Sequence, residues 1–238
     1  MRGPYGFEPN ENCQSCKARA SGFFCQLSAP ALKDFNAVKS TAMYPAEALL
    51  FMEKQDSRGV FVLCAGQVKL SISSSTGKTL ILRIAKPGEI LGLMAAMSGS
   101  PYEVTAETVR PCQVAFVRRD EFLRFVAKYP EAYQGVVKHL STLYNGACEQ
   151  LRNVGLSASA PEKLARLLLE WSVETKDTKQ GAPIKLPLTH EEIAEFIGTT
   201  RETVTRTLSQ FKSRHLVALE GSTLMISNRP VLESIGGV

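Results

Sequence analysis

Leu188-Thr-His-Glu-Glu-Ile-Ala-Glu-Phe-Ile-Gly-Thr-Thr-Arg-Glu-Thr-Val-Thr-Arg-Thr-Leu208 decides the fold of the C-terminal part of the chain. Thr189 followed by Glu192 is a capping box, in which the two side chains satisfy each other's free backbone N–H groups at a helix start. Ile193, Ala194 and Ile197 then share one helical face, and Gly198 suits the left-handed position that ends a helix. Thr200 caps a second helix, with Val204, Leu208 and Phe211 turned inward and Arg201, Glu202, Thr205, Arg206 and Lys212 outward. Two short helices about a tight turn make a helix-turn-helix. Beyond them, Val217-Ala-Leu-Glu220, a Gly221-Ser222 turn and Thr223-Leu-Met-Ile226 read as the hairpin of a wing.

Working back from this motif, Pro161 opens a helix with Leu164, Leu167, Leu168 and Trp171 as its apolar stripe, and Asp177 to Pro183 is a polar, turn-rich interruption. Further back, Pro130 stands at the first turn of a long helix. There Tyr133, Val137, Leu140, Tyr144, Ala147, Leu151 and Val154 recur at alternating spacings of four and three. Three heptads make about 30 Å of seam, long enough for a dimer interface, the alternative being a helix packed on its own β domain. Gly135 and Gly146 each weaken an isolated helix by up to about 1 kcal/mol, so packing must supply its stability.

From about Ala46 to Val117 the texture is that of short strands. Gln67-Val-Lys-Leu-Ser-Ile-Ser73 alternates cleanly, Ser75-Thr-Gly-Lys78 makes a hairpin turn, and Thr79-Leu-Ile-Leu-Arg-Ile84 follows. With further strands at Val60 to Ala65, Tyr102 to Glu107 and Cys112 to Val117, the spacing suits a jelly roll or barrel. The predicted fold class is α+β. A cysteine-containing segment covers 1–28, a β-roll sensor domain 29–129, a dimerisation helix 130–157 and a winged helix-turn-helix 158–238.

The 238 residues are 44% hydrophobic and 21% charged, values of an ordinary globular chain. No apolar run reaches the roughly 20 residues of a membrane helix and no secretory signal opens the chain, so the expected location is the cytoplasm and no membrane partner is expected. The net charge is +5, but ten of the 28 basic and ten of the 23 acidic residues lie from Ala158 onward, so the excess belongs to the first 157 residues. Bulk charge therefore does not locate a DNA surface. No enzyme is expected: Gly77-Lys-Thr79 has Ile72 where a phosphate-binding loop needs its first glycine, and three histidines are few for acid–base work.

The second helix of the motif carries what base reading requires. Arginine can donate twice to guanine O6 and N7, glutamate can accept from the cytosine amino group, and a threonine methyl can touch thymine. Arg201, Glu202, Thr205 and Arg206, with the cap Thr200, are the expected DNA-binding residues. The stretch from Leu188 to Leu208 resembles the helix-turn-helix of the CRP/FNR superfamily of bacterial transcription regulators, and the order of β-roll, long helix and winged motif extends that resemblance over about Pro45 to Ile226. In that family Arg-Glu-Thr-Val-x-Arg reads DNA, and it stands here as Arg201 to Arg206. The resemblance implies a homodimer on a palindromic operator with TGA-containing half-sites, and RNA polymerase as a partner. Arg201 is similar to the cAMP receptor protein branch and Thr205 is closer to the serine of the FNR branch.

Cys13-Gln-Ser-Cys16-x8-Cys25 precedes the β domain in a polar segment. Three thiols so placed suit a soft metal such as zinc, copper(I) or an iron–sulfur cluster, or a thiol–disulfide switch, and a closed site needs a fourth ligand. Cys112 is the candidate chosen from the sequence. The FNR branch is similar: it holds an oxygen-labile [4Fe-4S] cluster by three N-terminal cysteines and one in the β domain that Cys112 matches. The metal set expected is therefore Cys13, Cys16, Cys25 and Cys112, while Cys64 reads as core and Cys148 as a packing residue beside the seam. Cyclic AMP is not expected. Family members that bind it carry a glutamate after a glycine and an Arg-Ser or Arg-Thr pair, where this chain has Leu93 after Gly92 and Tyr102-Glu103. The alternative is a CRP-fold regulator gated by a small molecule or by zinc or thiol chemistry.

Overall fold

A computed structural model describes residues 5, 12–16, 22–156, 159–174, 183–221 and 223–237. Most of the Asp177 to Pro183 interruption, Ser222 of the wing turn and the 157/158 boundary lie outside them. Contacts divide the chain into two compact units, Met1–Lys78 with Leu82–Gly146, and Thr79–Ile81 with Ala147–Val238.

The first unit is a β-roll. One sheet has the order β1 (Ser40–Tyr44), β8 (Cys112–Arg118), β3 (Gly59–Ala65), β6 (Ile90–Leu91); the other has β2 (Leu49–Phe51), β7 (Thr105–Thr108), β4 (Val68–Ser73), β5 (Thr79–Ala85). Every strand pairing with a defined register is antiparallel. The strand expected from Tyr102 begins only at Thr105, because the Tyr102 ring is committed elsewhere. It stacks on Phe51 at 4.1 Å between centroids, and its hydroxyl donates to the Gly59 carbonyl at 2.9 Å.

The pleat of β3 separates two cores. Val60 and Val62 face a cluster with Phe24, Phe35, Phe122, Phe125, Ala132 and Val136, while Phe61 and Leu63 face the inside of the roll with Phe51, Leu70, Tyr102 and Val114. Successive side chains of a strand point to opposite faces, so a run buried on both sides reads as continuously apolar. Helices α1 (Ala29–Val38), α2 (Leu93–Ser98) and α3 (Arg119–Lys128), which the strand spacing did not predict, belong to this unit; α3 contacts both α1 and α2, and α2 and α3 also contact β3.

Helix α4 (Pro130–Gly155) runs unbroken, as the heptad spacing predicts. Its inward face is Ala132 and Val136, both buried, which the heptad reading missed. Tyr133 and Val137 are about half exposed, and Tyr144 and Leu151 are each 71% exposed. Ala147 is exposed as well. Leu140 packs against the first core, and Val154 lies against the turn after Ile197. Leu140 and Val154 are thus half-buried within the single chain, and the other five seam residues are exposed.

His139 of α4 lies against β6, with Nε2 3.3 Å from the Ile90 carbonyl oxygen, and burial holds its imidazole below the ordinary value of 6.5. Between that depressed value and 6.5 the unfolded chain binds the extra proton and the folded chain does not, so stability rises with pH through this window. Acidification from pH 7 to 5 is expected to lower the melting temperature, and His139→Gln to flatten that slope. Thermal melts across this range check it; an unchanged slope in His139→Gln would count against the buried neutral imidazole.

The second unit packs α5 (Ala160–Glu174), α6 (His190–Ile197), α7 (Arg201–Ser213) and α8 (Arg229–Gly236) around Leu164, Leu168, Ile193, Leu208, Phe211 and Leu224. The wing, β10 (Val217–Glu220) and β11 (Thr223–Ile226), pairs Val217 with Ile226 and Glu220 with Thr223, as the hairpin predicts. It gains a third strand, β9 (Ile184–Lys185), paired through Leu224 with Ile184. Arg166 donates from Nε to the Gly236 carbonyl at 2.7 Å and holds the end of α8 on α5.

Candidate functional site

The base-reading face is built from local caps. Thr189 accepts from the Glu192 N–H at 3.2 Å while Glu192 accepts from the Thr189 N–H at 2.9 Å, closing the capping box of α6. Gly198 ends that helix at φ 65, ψ 50, and Thr200 caps α7 by accepting from the Thr203 N–H at 3.3 Å. Val204, Thr207, Leu208 and Phe211 are buried, which leaves Arg201, Glu202, Thr205 and Arg206 exposed along one edge. Glu202 stays ionised, since hydrogen bonds from its own backbone N–H and then from the Thr200 hydroxyl hold its carboxyl below the usual range. The sequence reading missed His190, whose Nδ1 lies 3.0 Å from the Thr205 hydroxyl and ties the first helix to the exposed edge of the second. His190 and Thr205 lie fifteen residues apart across a turn, so this pairing has no local signature.

Gly198 takes a backbone conformation that costs a residue with a Cβ about 1–2 kcal/mol, and its added Cβ would stand 3.1 Å from Cγ1 of Val154. Gly198→Ala is therefore expected to lower the stability of this unit by about 1–2 kcal/mol in urea titration, with the helices otherwise intact by circular dichroism.

The second site is a small cavity of about 20 Å³, lined by Cys13, Cys16, Cys25 and Cys64 together with Phe24, Phe35, Lys39, Val62, Leu63, Gly88 and Ala115. Local bonds place the first cysteines. Asn12 caps the turn Cys13–Ser15 by accepting from the Gln14 N–H at 2.9 Å, and Asn36 of α1 accepts from the Cys13 N–H at 3.2 Å. The Cys25 N–H donates to the Gly22 carbonyl at 3.1 Å, and Phe24, buried, stacks among Phe35, Phe122 and Phe125. Gly22 is required here, since a Cβ would lie 2.4 Å from the Gly88 Cα. Lys39 donates from Nζ to the Cys13 sulfur at 3.1 Å.

Cys64 sits where the β3–β8 register shifts between Leu63 and Ala65, on the face shared with Val60 and Val62. Burial pushes its thiol up to about 12, the Lys39 ammonium opposes this, and Cys13, Cys25 and Cys16 push it further up. Cys64 packs against the first core, as expected, and it also borders the cavity of the three N-terminal cysteines. Cys112, expected from the sequence as the fourth ligand, does not line this cavity. Cys112 belongs with Val114 to the opposite core, its sulfur 3.1 Å from the Arg110 carbonyl and 3.3 Å from the Gln67 carbonyl. Burial pushes that thiol up to about 11, and Gly66 backs against it so closely that a Cβ there would stand 2.4 Å from the sulfur. A strand side chain one position out of phase points to the other side of the sheet. Among the described residues no three His, Cys, Asp or Glu side chains are already drawn together as a metal group, so the four thiols border the cavity without converging on one point.

Cys148 of α4 is half-buried and unpaired by any disulfide. Leu93 is buried, and Tyr102 fills the space beside Gly92, where an added Cβ would lie 2.6 Å from the phenol ring. No helix among the described residues is long and apolar enough to cross a membrane.

Two family models match the chain, the cyclic nucleotide-binding domain over residues 42–129 and the Crp-like helix-turn-helix domain over 162–235. A CRP-like cAMP-activated global transcriptional regulator of Mycobacterium tuberculosis is 25% identical over 78% of this chain and 83% of its own length. The nitrogen fixation regulation protein FixK of Bradyrhizobium diazoefficiens is 25% identical over 89% of each chain. Among solved structures, FixK2 from Bradyrhizobium japonicum superposes with a TM-score of 0.73 at 22% identity, over 83% of this chain and 97% of that one.

Proposed function

Since the chain belongs to the CRP/FNR family of DNA-binding transcription regulators, we propose that it is a redox-responsive member, a homodimer whose operator binding follows an iron–sulfur cluster held by its N-terminal cysteines. The observation that carries this reading is that Cys13, Cys16, Cys25 and Cys64 all line one cavity in the first unit. The donor set fits the group: thiolates select zinc or iron–sulfur clusters, and Lys39 beside Cys13 supplies a positive charge next to a site that becomes anionic when its thiols ionise. When bound, the cluster would supply an oxygen-labile cross-link among these thiolates.

The chain's own residues connect this cavity to the dimer helix within the same unit. Phe24 precedes Cys25 and packs on Phe125, which packs at a tilt on Tyr129, just before α4. The Ser28 hydroxyl donates to Glu131 in the first turn of α4 at 2.5 Å. Tyr129 and Lys128 both donate to Asp34 of α1 at 2.6 Å. Moving the cysteine segment therefore disturbs the first turns of α4 directly, and with them the exposed seam of Tyr133, Val137 and Tyr144.

In the proposed complex Arg201, Glu202, Thr205 and Arg206, with Thr200 at the cap, enter the major groove of each TGA-containing half-site, and RNA polymerase contacts the bound dimer. The β-roll is not read as a cyclic AMP site. Leu93 and Tyr102 fill places where the family's nucleotide binders carry the ribose and phosphate ligands, and the Glu103 carboxylate would repel a phosphate. Selection of sequences bound by the oxygen-free protein from a random duplex pool tests the DNA reading. A palindrome with TGA half-sites about one helical turn apart is expected; recovery of no common sequence would contradict it.

A further inference from the structure

We propose that Cys64, and not Cys112, is the fourth ligand of a four-thiolate metal centre completed by Cys13, Cys16 and Cys25. The inference rests on the iron–sulfur reading only for the identity of the metal; the ligand set stands on the fold.

Three observations assign it. First, the pleat of β3 alternates Val60 and Val62 on the outer face with Phe61 and Leu63 on the inner, which puts Cys64 on the outer face, where Cys13 also packs. Cys112 is in phase with Val114 of β8, on the inner face, and a sheet intervenes between it and the cavity. Second, Cys64 stands at an irregularity of the β3–β8 ladder, and a bulge of this kind re-aims a side chain at a strand end. Third, the cavity wall away from the sulfurs is apolar, with Phe24, Phe35, Val62 and Ala115, and its one ammonium, Lys39, already donates to the Cys13 sulfur. Four sulfurs around an apolar hollow with one adjacent cation suit a tetrahedral S₄ centre, the geometry of zinc or of an iron–sulfur cluster. No redox change is needed for binding: as four metal–sulfur bonds form, four S–H bonds give up their protons to solvent.

The test is metal loading of full-length native protein, Cys64→Ser and Cys112→Ser, each incubated without oxygen with iron and sulfide and, separately, with zinc, then desalted for metal and sulfide analysis. Circular dichroism and non-specific DNA binding check folding. Native protein and Cys112→Ser are expected to load alike, and Cys64→Ser to lose most of its metal. X-ray absorption on metal-loaded native protein, which needs no substitution, should count four sulfurs on each metal for zinc. Loading by Cys64→Ser equal to native, loss of loading in Cys112→Ser with Cys64→Ser unaffected, or a sulfur count of three would overturn the assignment. Zinc loading that depends on Cys64, without iron and sulfide uptake, supports the four-thiolate site and contradicts the cluster. Native protein that takes up neither overturns both.

Discussion

Replacing Tyr144 and Leu151 together by glutamate is expected to give a folded monomer that binds its operator about 10²–10⁴-fold more weakly than the native protein. Both side chains are 71% exposed in the single chain, one heptad apart on α4. Exposed positions of this kind tolerate substitution to within about 0.5 kcal/mol when they touch nothing. In a two-fold dimer the same positions face their own copies, so each substitution brings like charges together in a seam otherwise filled by Tyr133, Val137 and Ala147. The loss in DNA binding follows because two linked half-site contacts reinforce each other by effective concentration. Sedimentation equilibrium and a DNA titration on one preparation check both halves; a variant that stays dimeric would show that α4 is not the interface.

Arg206→Ala is expected to cost about 1–3 kcal/mol of operator affinity, tenfold to more than a hundredfold, and to erase selection at one guanine of each half-site. Arg206 is exposed on the outer edge of α7, with Val204 and Leu208 fixing the helix from behind. Titration of native and variant protein with the operator and with a version changed at that guanine separates base reading from charge. The native protein should discriminate between the two duplexes and the variant should not. Equal weakening on specific and non-specific DNA would instead make Arg206 a phosphate contact.

The parts of this fold legible in sequence are those whose signals are local. The capping box, Gly198, the Thr200 cap and the wing hairpin each complete their hydrogen bonds within a few residues, so their side chains announce them. Helix α4 was legible in extent but not in orientation, because a heptad pattern does not say which stripe faces the chain's own core; Ala132 and Val136 do, and they are too small to stand out. The strand β9 is two residues long and depends on contacts made after folding, whereas α8 carries local signals, the Asn228 cap, Pro230 and Gly237, that the sequence reading passed over. The position of Cys64 beside the three N-terminal cysteines was not legible for a related reason. Val60-Phe-Val-Leu-Cys64 is apolar throughout, since both faces of β3 are buried, so no alternation distinguishes its sides. Only the placement of Phe24 and Cys13 on one of them shows where Cys64 looks.

The central claim, that the cysteine cavity governs DNA binding, is tested most directly by titrating one oxygen-free preparation onto its operator before and after exposure to air, with iron and acid-labile sulfide measured on both samples. The account predicts a coloured protein that binds tightly, then bleaches, loses sulfide and releases the operator. A colourless protein that contains no iron and binds the operator equally in both states would contradict it.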